Sequence, residues 1–189
     1  VIVMIYLLNI KDQFVALAKK ITYGLFSVEW ANRIVREARF IHKVFGGFII
    51  GKIVDSLIIG IMCFVCLSFM KMPYTLLVSV IVGVTNVIPF FGPFIGAIPS
   101  AFLILLVSPI QCLYFLIFIL LLQQFDGNIL GPKILGDSTG VSSFWVLFSI
   151  LLFGGLFGFV GMIIGVPTFA VIYRLTGDFI NSKLKKRKL

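Results

Sequence analysis

The sequence predicts an all-α, polytopic helical membrane protein with broken or re-entrant helices, and three observations carry that expectation. Of its 189 residues 60% are hydrophobic and only 12% charged, whereas a soluble domain averages about 45–50% apolar and 25% charged. No Asp, Glu, Lys or Arg occurs in the 54 residues Met72–Phe125 or in the 36 residues Ser138–Tyr173, and about 20 apolar residues suffice to cross a bilayer. The longer run is punctuated by Pro73, Pro89, Pro93, Pro99 and Pro109, so uninterrupted helices cannot fill it. Secreted, cytosolic and disordered classes are excluded together.

Residues 1–9 (VIVMIYLLN) are apolar but only half a span long. They are expected to be the end of a transmembrane helix cut off upstream, which would make the sequence the C-terminal part of a longer protein. Residues 10–52 form a basic amphipathic linker. Ile10, Phe14, Leu17, Ile21 and Leu25 recur at helical spacing, with Lys11, Asp12, Lys19 and Lys20 on other faces. Farther on, Ile34, Ala38, Ile41 and Phe45 make one stripe while Arg36, Arg39 and Lys43 make another. Helices of this kind suit a membrane surface or a neighbouring subunit. His42, the single histidine, falls beside the basic stripe as a solvated residue.

The transmembrane domain is expected over 53–175, opening with a span at Ile53–Met70. Lys52 and Asp55 stand i,i+3 and can pair, either as a neutralising pair at the interface or with Asp55 on an ion path, since intramembrane carboxylates are costly. Between Pro89 and Pro99 three prolines and two glycines fall in eleven residues, which predicts a helix break over 89–99. The segment 74–107 then reads as two short helices meeting in a re-entrant hairpin or discontinuous pair, or as a plain tight turn between spans. Irregular backbone at membrane depth is tolerated only in protein or along a wet cavity, and such breaks are where transporters bind solutes. Thr85 and Asn86 are the polar groups nearest the break.

Residues 110–125 form another span ending in Gln123, Gln124, Asp126 and Asn128, then Gly131-Pro132-Lys133 and Asp137. This cluster is either an interfacial loop or the polar mouth of a translocation path. The last apolar run would be about 54 Å long as one helix, too long for a ~30 Å hydrocarbon core. Two short spans joined around Gly154–Gly161 fit better, with Gly154, Gly158, Gly161 and Gly165 as packing glycines. An even number of crossings then separates 10–52 from the basic tail 176–189, in which five of the sixteen basic residues occupy Ser182–Leu189. Both regions fall on one side, cytoplasmic by the positive-inside rule.

Enzyme chemistry is not expected: there is no H-E-x-x-H, G-x-S-x-G, P-loop or dinucleotide fingerprint. With one histidine and with Cys63, Cys66 and Cys112 inside apolar runs, no metal, cofactor or disulfide is expected either. Nucleic acid is not an expected partner, because no basic face with interleaved aromatics exists outside the tail.

The stretch from Pro73-Tyr74 through Gly83-Val-Thr-Asn-Val-Ile-Pro-Phe-Phe-Gly-Pro-Phe-Ile-Gly-Ala-Ile-Pro99 resembles the signature of the AI-2E family transporters. So do Asn128-Ile-Leu-Gly-Pro-Lys-Ile-Leu-Gly-Asp-Ser-Thr-Gly140, Ser143-Phe-Trp-Val, Gly154-Gly-Leu-Phe-Gly-Phe-Val-Gly161, Gly165-Val-Pro167 and Ile172-Tyr173. The resemblance covers about Phe45 to Tyr173, with 10–44 fitting the family's linker more loosely. It implies a multi-pass protein of a bacterial or archaeal inner (plasma) membrane. The implied activity is export of a small polar solute such as the quorum-sensing molecule autoinducer-2, or alternatively sodium(lithium)/proton antiport. By motif it points to Asn86, Pro89, Gly92, Pro93, Asn128, Pro132 and Lys133, and to Asp126 where the family usually has an acidic residue.

The candidate path is therefore Thr85, Asn86, Pro89, Gly92, Pro93, Gln124, Asp126, Asn128, Pro132 and Lys133, with Asp55 and Asp126 as the possible ion path. Neutral amides and hydroxyls favour an uncharged solute. Antiport would need Asp55 or Asp126 at hydrocarbon depth. A membrane scaffold subunit held together by the glycine face is the third reading. Membrane lipid, the transported solute or cation, and further copies of the chain in a homo-oligomer are the expected partners.

Overall fold

A computed structural model describes residues 10–89, 91–135 and 141–186. The stub 1–9, Asp137 and the last residues of the tail lie outside it. The described residues are mostly helical, with no strand among them, and the chain divides into two compact units, Val1–Lys43 and Val44–Leu189. Three described stretches are long and apolar enough to cross a bilayer: Val28–Phe69, Pro109–Leu130 and Phe144–Leu184.

In the first unit, helix α1 (Lys11–Leu25) has no buried residue. It ends where Phe26 turns extended, at φ −119° and ψ 155°, and the Tyr23 hydroxyl donates to Asn32 Oδ1 at 2.5 Å across the corner. Asn32 belongs to the first turns of α2 (Val28–Phe69), and His42 is exposed as its position predicts.

Helix α2 continues past Lys52 and Ile53 without interruption. The reason is local: Lys52 is neutralised by Asp55 within the helix, and its charge does not end the apolar segment. After a turn in which Lys71 and Tyr74 take left-handed backbone around Pro73, α3 (Thr75–Thr85) and α4 (Gly92–Leu105) follow. At 1.5 Å per residue their 11 and 14 residues reach only about 17 and 21 Å, short of the hydrocarbon thickness.

The interruption between them is shorter than the prolines suggest, and the helix resumes at Gly92. Pro93 falls in the first turn, where no backbone N–H is needed, and α4 absorbs Pro99 within its length. Gly92 is required by close approach, since a Cβ there would overlap the Thr85 carbonyl and sit 2.9 Å from Asn86 Cα. Helix α3 crosses α2 at a glycine pair, a Cβ on Gly83 lying 3.0 Å from Gly60 Cα.

Helix α5 (Pro109–Phe125) starts behind Ser108 and packs beside α4, where the Cys112 thiol reaches the Ala101 carbonyl at 3.4 Å. Ile59, Cys63, Leu67, Val78, Val82, Ile104, Phe115, Ile119 and Leu122 form the shared core. Cys63 and Cys112 are thus packing residues, with no disulfide among the described cysteines. The polar segment after α5 is helical instead of a loop: one π-helical turn, Asp126–Leu130, leads into the short α6 (Gly131–Leu135).

Helix α7 (Ser143–Lys186) reverses at Gly158, whose φ of 61° and ψ of −141° lie outside helical space. Its arms, 143–157 and 159–186, lie against each other. Trp145 stacks on Phe169 with centroids 5.2 Å apart, a Cβ on Gly161 would overlap the Phe153 carbonyl, and one on Gly165 would sit 3.0 Å from the Ser149 carbonyl. Gly154 meets Met162. The expectation of Gly158 as a packing glycine is corrected: nothing lies near its missing side chain, and its role is the backbone turn that only glycine makes without strain. A second core of Phe48, Ile150 and Val166 joins this hairpin to α2, and Phe91 from the turn before α4 packs onto it.

Candidate functional site

Phe48, Lys52, Asp55, Ile59, Cys63 and Leu67 are all buried and recur along α2 at three- and four-residue intervals, with Ser56 buried beside Asp55. One helix face therefore presents hydrocarbon along most of its length and a lysine, a carboxylate and a hydroxyl near its middle. Asp55 lies eleven residues past Val44, about 16 Å along the helix axis. Its side chain is 0% exposed and that of Lys52 7%.

Lys52 Nζ donates to Asp55 Oδ2 at 2.6 Å, and Asn86 Nδ2 donates to the same oxygen at 3.2 Å. Asn86, 1% exposed, stands one residue past α3. The overlap that excludes a side chain at Gly92 also fixes the backbone on which Asn86 sits. Asp126 arrives from α5, on the face that Cys112, Phe115, Ile119 and Leu122 bury. Its carboxylate interacts with Asp55, Lys52 and Asn86.

The backbone widens at this residue, the first of the π-helical turn. Such turns are rare and gather at functional sites. Gly131 closes the turn, since a Cβ there would come within 3.1 Å of the Asp126 carbonyl.

Two carboxylates thus share one lysine in a buried setting. Removing an ion from water costs several kcal/mol, roughly, for each charge, and one ammonium cannot neutralise two carboxylates. Asp55 Oδ1 and Asp126 Oδ1 are both buried without a hydrogen-bond partner, as are Ser56 Oγ, Ser100 Oγ and Gln123 Nε2. Buried polar atoms are almost always paired, so unpaired carboxylate oxygens on two facing residues mark a place suited to a proton or a small cation. Among the described residues no group of three His, Cys, Asp or Glu side chains is placed to hold a metal.

The residues anticipated for a path separate into distinct environments. Asp55, Asn86 and Asp126 come together. Gly92 and Pro93 are buried and Pro89 half-buried beside the turn. Thr85 gives its hydroxyl to the Ile81 carbonyl of its own helix at 2.8 Å. Gln124 and Asn128 are exposed and bonded to each other, Asn128 Nδ2 donating to Gln124 Oε1 at 2.8 Å. Lys133 is exposed, and only the backbone of Pro132 is described.

Sequence reasoning treated Lys52 as an interfacial counter-ion, yet it is a buried member of the site. Gln123, absent from the candidate path, lies three residues before Asp126 with its Nε2 buried. The spacing of buried positions 112, 115, 119 and 122 held that signal.

The AI-2E family transporter profile matches residues 1–181. YrrI of Bacillus subtilis strain 168, named as a transport protein, is 36% identical over 174 residues, 92% of this chain and 49% of that protein. YueF of the same organism is 28% identical over 170 residues, 90% of this chain and 45% of its own. YhhT of Escherichia coli K12 is 31% identical over 121 residues, 64% of this chain and 35% of its own. The chain spans about half the length of the first two relatives. A profile covering both units, together with the helical membrane fold, leads to one conclusion: this chain belongs to the AI-2E transporter family.

Proposed function

We propose that the chain forms part of a secondary transporter that exchanges protons for a monovalent cation, with Asp55 and Asp126 as the exchange site. One observation supports this reading above others: two buried carboxylates, each with an unpaired oxygen, beside a single lysine. Both fall within helices apolar and long enough to cross a bilayer, where ionisable residues mark ion and proton pathways. Occupancy by a proton or by a cation relieves the same excess negative charge. The two species therefore compete, and competition for one site accessible in turn from either side is the chemistry of antiport.

Lys52 offsets one of the two negative charges and leaves the other for a proton or cation, and Asn86 holds the Asp55 oxygen that Lys52 engages. Proton flux on addition of sodium or lithium to proteoliposomes is the test, with Asp55→Asn and Asp126→Asn alongside. Cation-dependent flux lost in both variants is the expected result. Flux that survives both substitutions removes the site from the mechanism.

Export of a small polar solute, autoinducer-2 being the cargo in the family's name, is the second reading. It is favoured by the unpaired neutral groups Ser56 Oγ, Ser100 Oγ and Gln123 Nε2, which can hydrogen-bond an uncharged polyol. Efflux of labelled autoinducer-2 without cation-dependent proton flux would select it. An inner-membrane location with the tail in the cytoplasm belongs to the same proposal, supported by the basic tail.

A further inference from the structure

Helix α1 carries a pattern that the exchange site does not use. At 100° per residue, Phe14, Leu17, Ala18, Ile21 and Leu25 fall within one arc of about 100°. Lys11 and Lys20 border that arc on opposite sides, while Asp12, Lys19 and Tyr23 share the far face. Phe14, Leu17, Ile21 and Leu25 are 52%, 53%, 52% and 74% exposed. A fifteen-residue helix is marginal alone in water, so this arc needs a cover.

The surroundings say what covers it. Residues 10–43 hold seven Lys and Arg against three acidic residues. The Tyr23–Asn32 hydrogen bond ties the end of α1 to the start of α2, where Asn32, Arg36, Arg39 and Lys43 form a stripe of exposed side chains. Trp30 is 60% exposed, with the Arg33 guanidinium 5.8 Å above its ring, a pairing suited to the headgroup zone. A second copy would bring the same positive charge to the contact and be repelled by it. Anionic headgroups complement the surface, and a chain that carries its own membrane spans has a bilayer at hand.

We propose that α1 is an anionic-phospholipid-binding helix lying in the bilayer interface, independent of the exchange reading. Phe14, Leu17, Ile21 and Leu25 enter the acyl boundary. Lys11 and Lys20 reach lipid phosphates from the two sides of the helix, their methylene stems lying along the apolar surface. The stripe Arg36, Arg39 and Lys43 binds further phosphates, so the surface favours phosphatidylglycerol over phosphatidylcholine.

The test uses the full chain in lipid nanodiscs. The two native tryptophans are removed as Trp30→Phe and Trp145→Phe, and Phe14→Trp is introduced as the probe. Discs contain phosphatidylcholine with 30% phosphatidylglycerol, one lipid or the other brominated. We expect blue-shifted emission, quenching by both brominated lipids, and stronger quenching per lipid by phosphatidylglycerol. That preference should fall on the order of fivefold for each of Lys11→Gln and Lys20→Gln. Helical circular dichroism confirms folding, and Leu17→Trp replaces Phe14→Trp if the latter misfolds.

Emission at a water-exposed wavelength overturns the proposal. So does blue-shifted emission that neither brominated lipid quenches, which would mean that protein covers the face. Equal quenching by the two lipids, unchanged by the lysine substitutions, overturns the anionic preference.

Discussion

Gln124 and Asp126 stand two residues apart at the end of one helix, and the structure treats them oppositely. Gln124 is exposed and closes a local hydrogen bond with Asn128. Asp126 is 9% exposed and interacts electrostatically with a carboxylate, a lysine and an amide contributed by segments far away in the chain. Composition does not distinguish the two, since both are polar residues bordering an apolar run. What separates them is the phase of the helix: 126 continues the buried series 112, 115, 119, 122, whereas 124 falls between its members. A polar residue in register with a buried stripe must be neutralised by its neighbours, and that demand turns a helix end into a site.

The comparison is broken most severely at Lys52. Lys52→Met leaves two buried carboxylates without a cation, and loss of one partner of a buried pair costs about 3–5 kcal/mol. The expected outcome is a large fall in the thermal unfolding temperature of the solubilised protein. The double variant Lys52→Met with Asp55→Leu should recover much of that loss, because it removes one of the carboxylates together with the ammonium. A double variant as unstable as the sum of its parts would show that the pair does not act as a unit.

Asn86→Ala comes next. It removes a hydrogen bond to a charged group inside the protein, worth about 1.5–3 kcal/mol, and unfolding midpoints should shift by a corresponding fraction. Gly92→Ala acts on the same neighbourhood through the backbone. The new Cβ overlaps the Thr85 carbonyl, and overpacking of this kind costs about 1–3 kcal/mol. If proton flux assays detect exchange, Gly92→Ala should impair it as well, since the displaced turn carries Asn86.

Part of this was legible before the structure. The charge-free runs announce membrane helices because no ionised group crosses hydrocarbon cheaply, and the i,i+3 spacing of Lys52 and Asp55 is a one-helix relation readable from numbering. Asn86 was legible as a polar group beside a proline-rich break. The meeting of Asp55 with Asp126 was not, for it depends on α3 returning along α2 through the glycine contact at Gly60 and Gly83, and on α5 then packing beside α4. Both are tertiary facts with no local period. The prolines misled in one respect: counting Pro93 and Pro99 as breakers ignores that the first sits where a helix tolerates proline and the second where the helix can absorb it. The join of the last hairpin around Gly154–Gly161 was legible from the length of the apolar run, but nothing in the spacing of the four glycines singles out Gly158 as the turn.

The smallest expected effect is the sharpest control on the comparison. Gln124→Ala with Asn128→Ala removes two polar groups that border the same apolar run and closely precede and follow Asp126. Their hydrogen bonds are to each other and to the backbone at Gln124, both side chains are exposed, and neither side chain bonds to the buried cluster. Surface changes of this kind stay within about 0.5 kcal/mol, so unfolding temperature and cation-dependent proton flux should both match the unsubstituted protein. A double variant that loses flux while keeping its stability would mean that the exposed amides meet the transported species on its way to Asp126. The polar mouth would then be part of the path, and the boundary between the two environments would have to move outward by one helical turn.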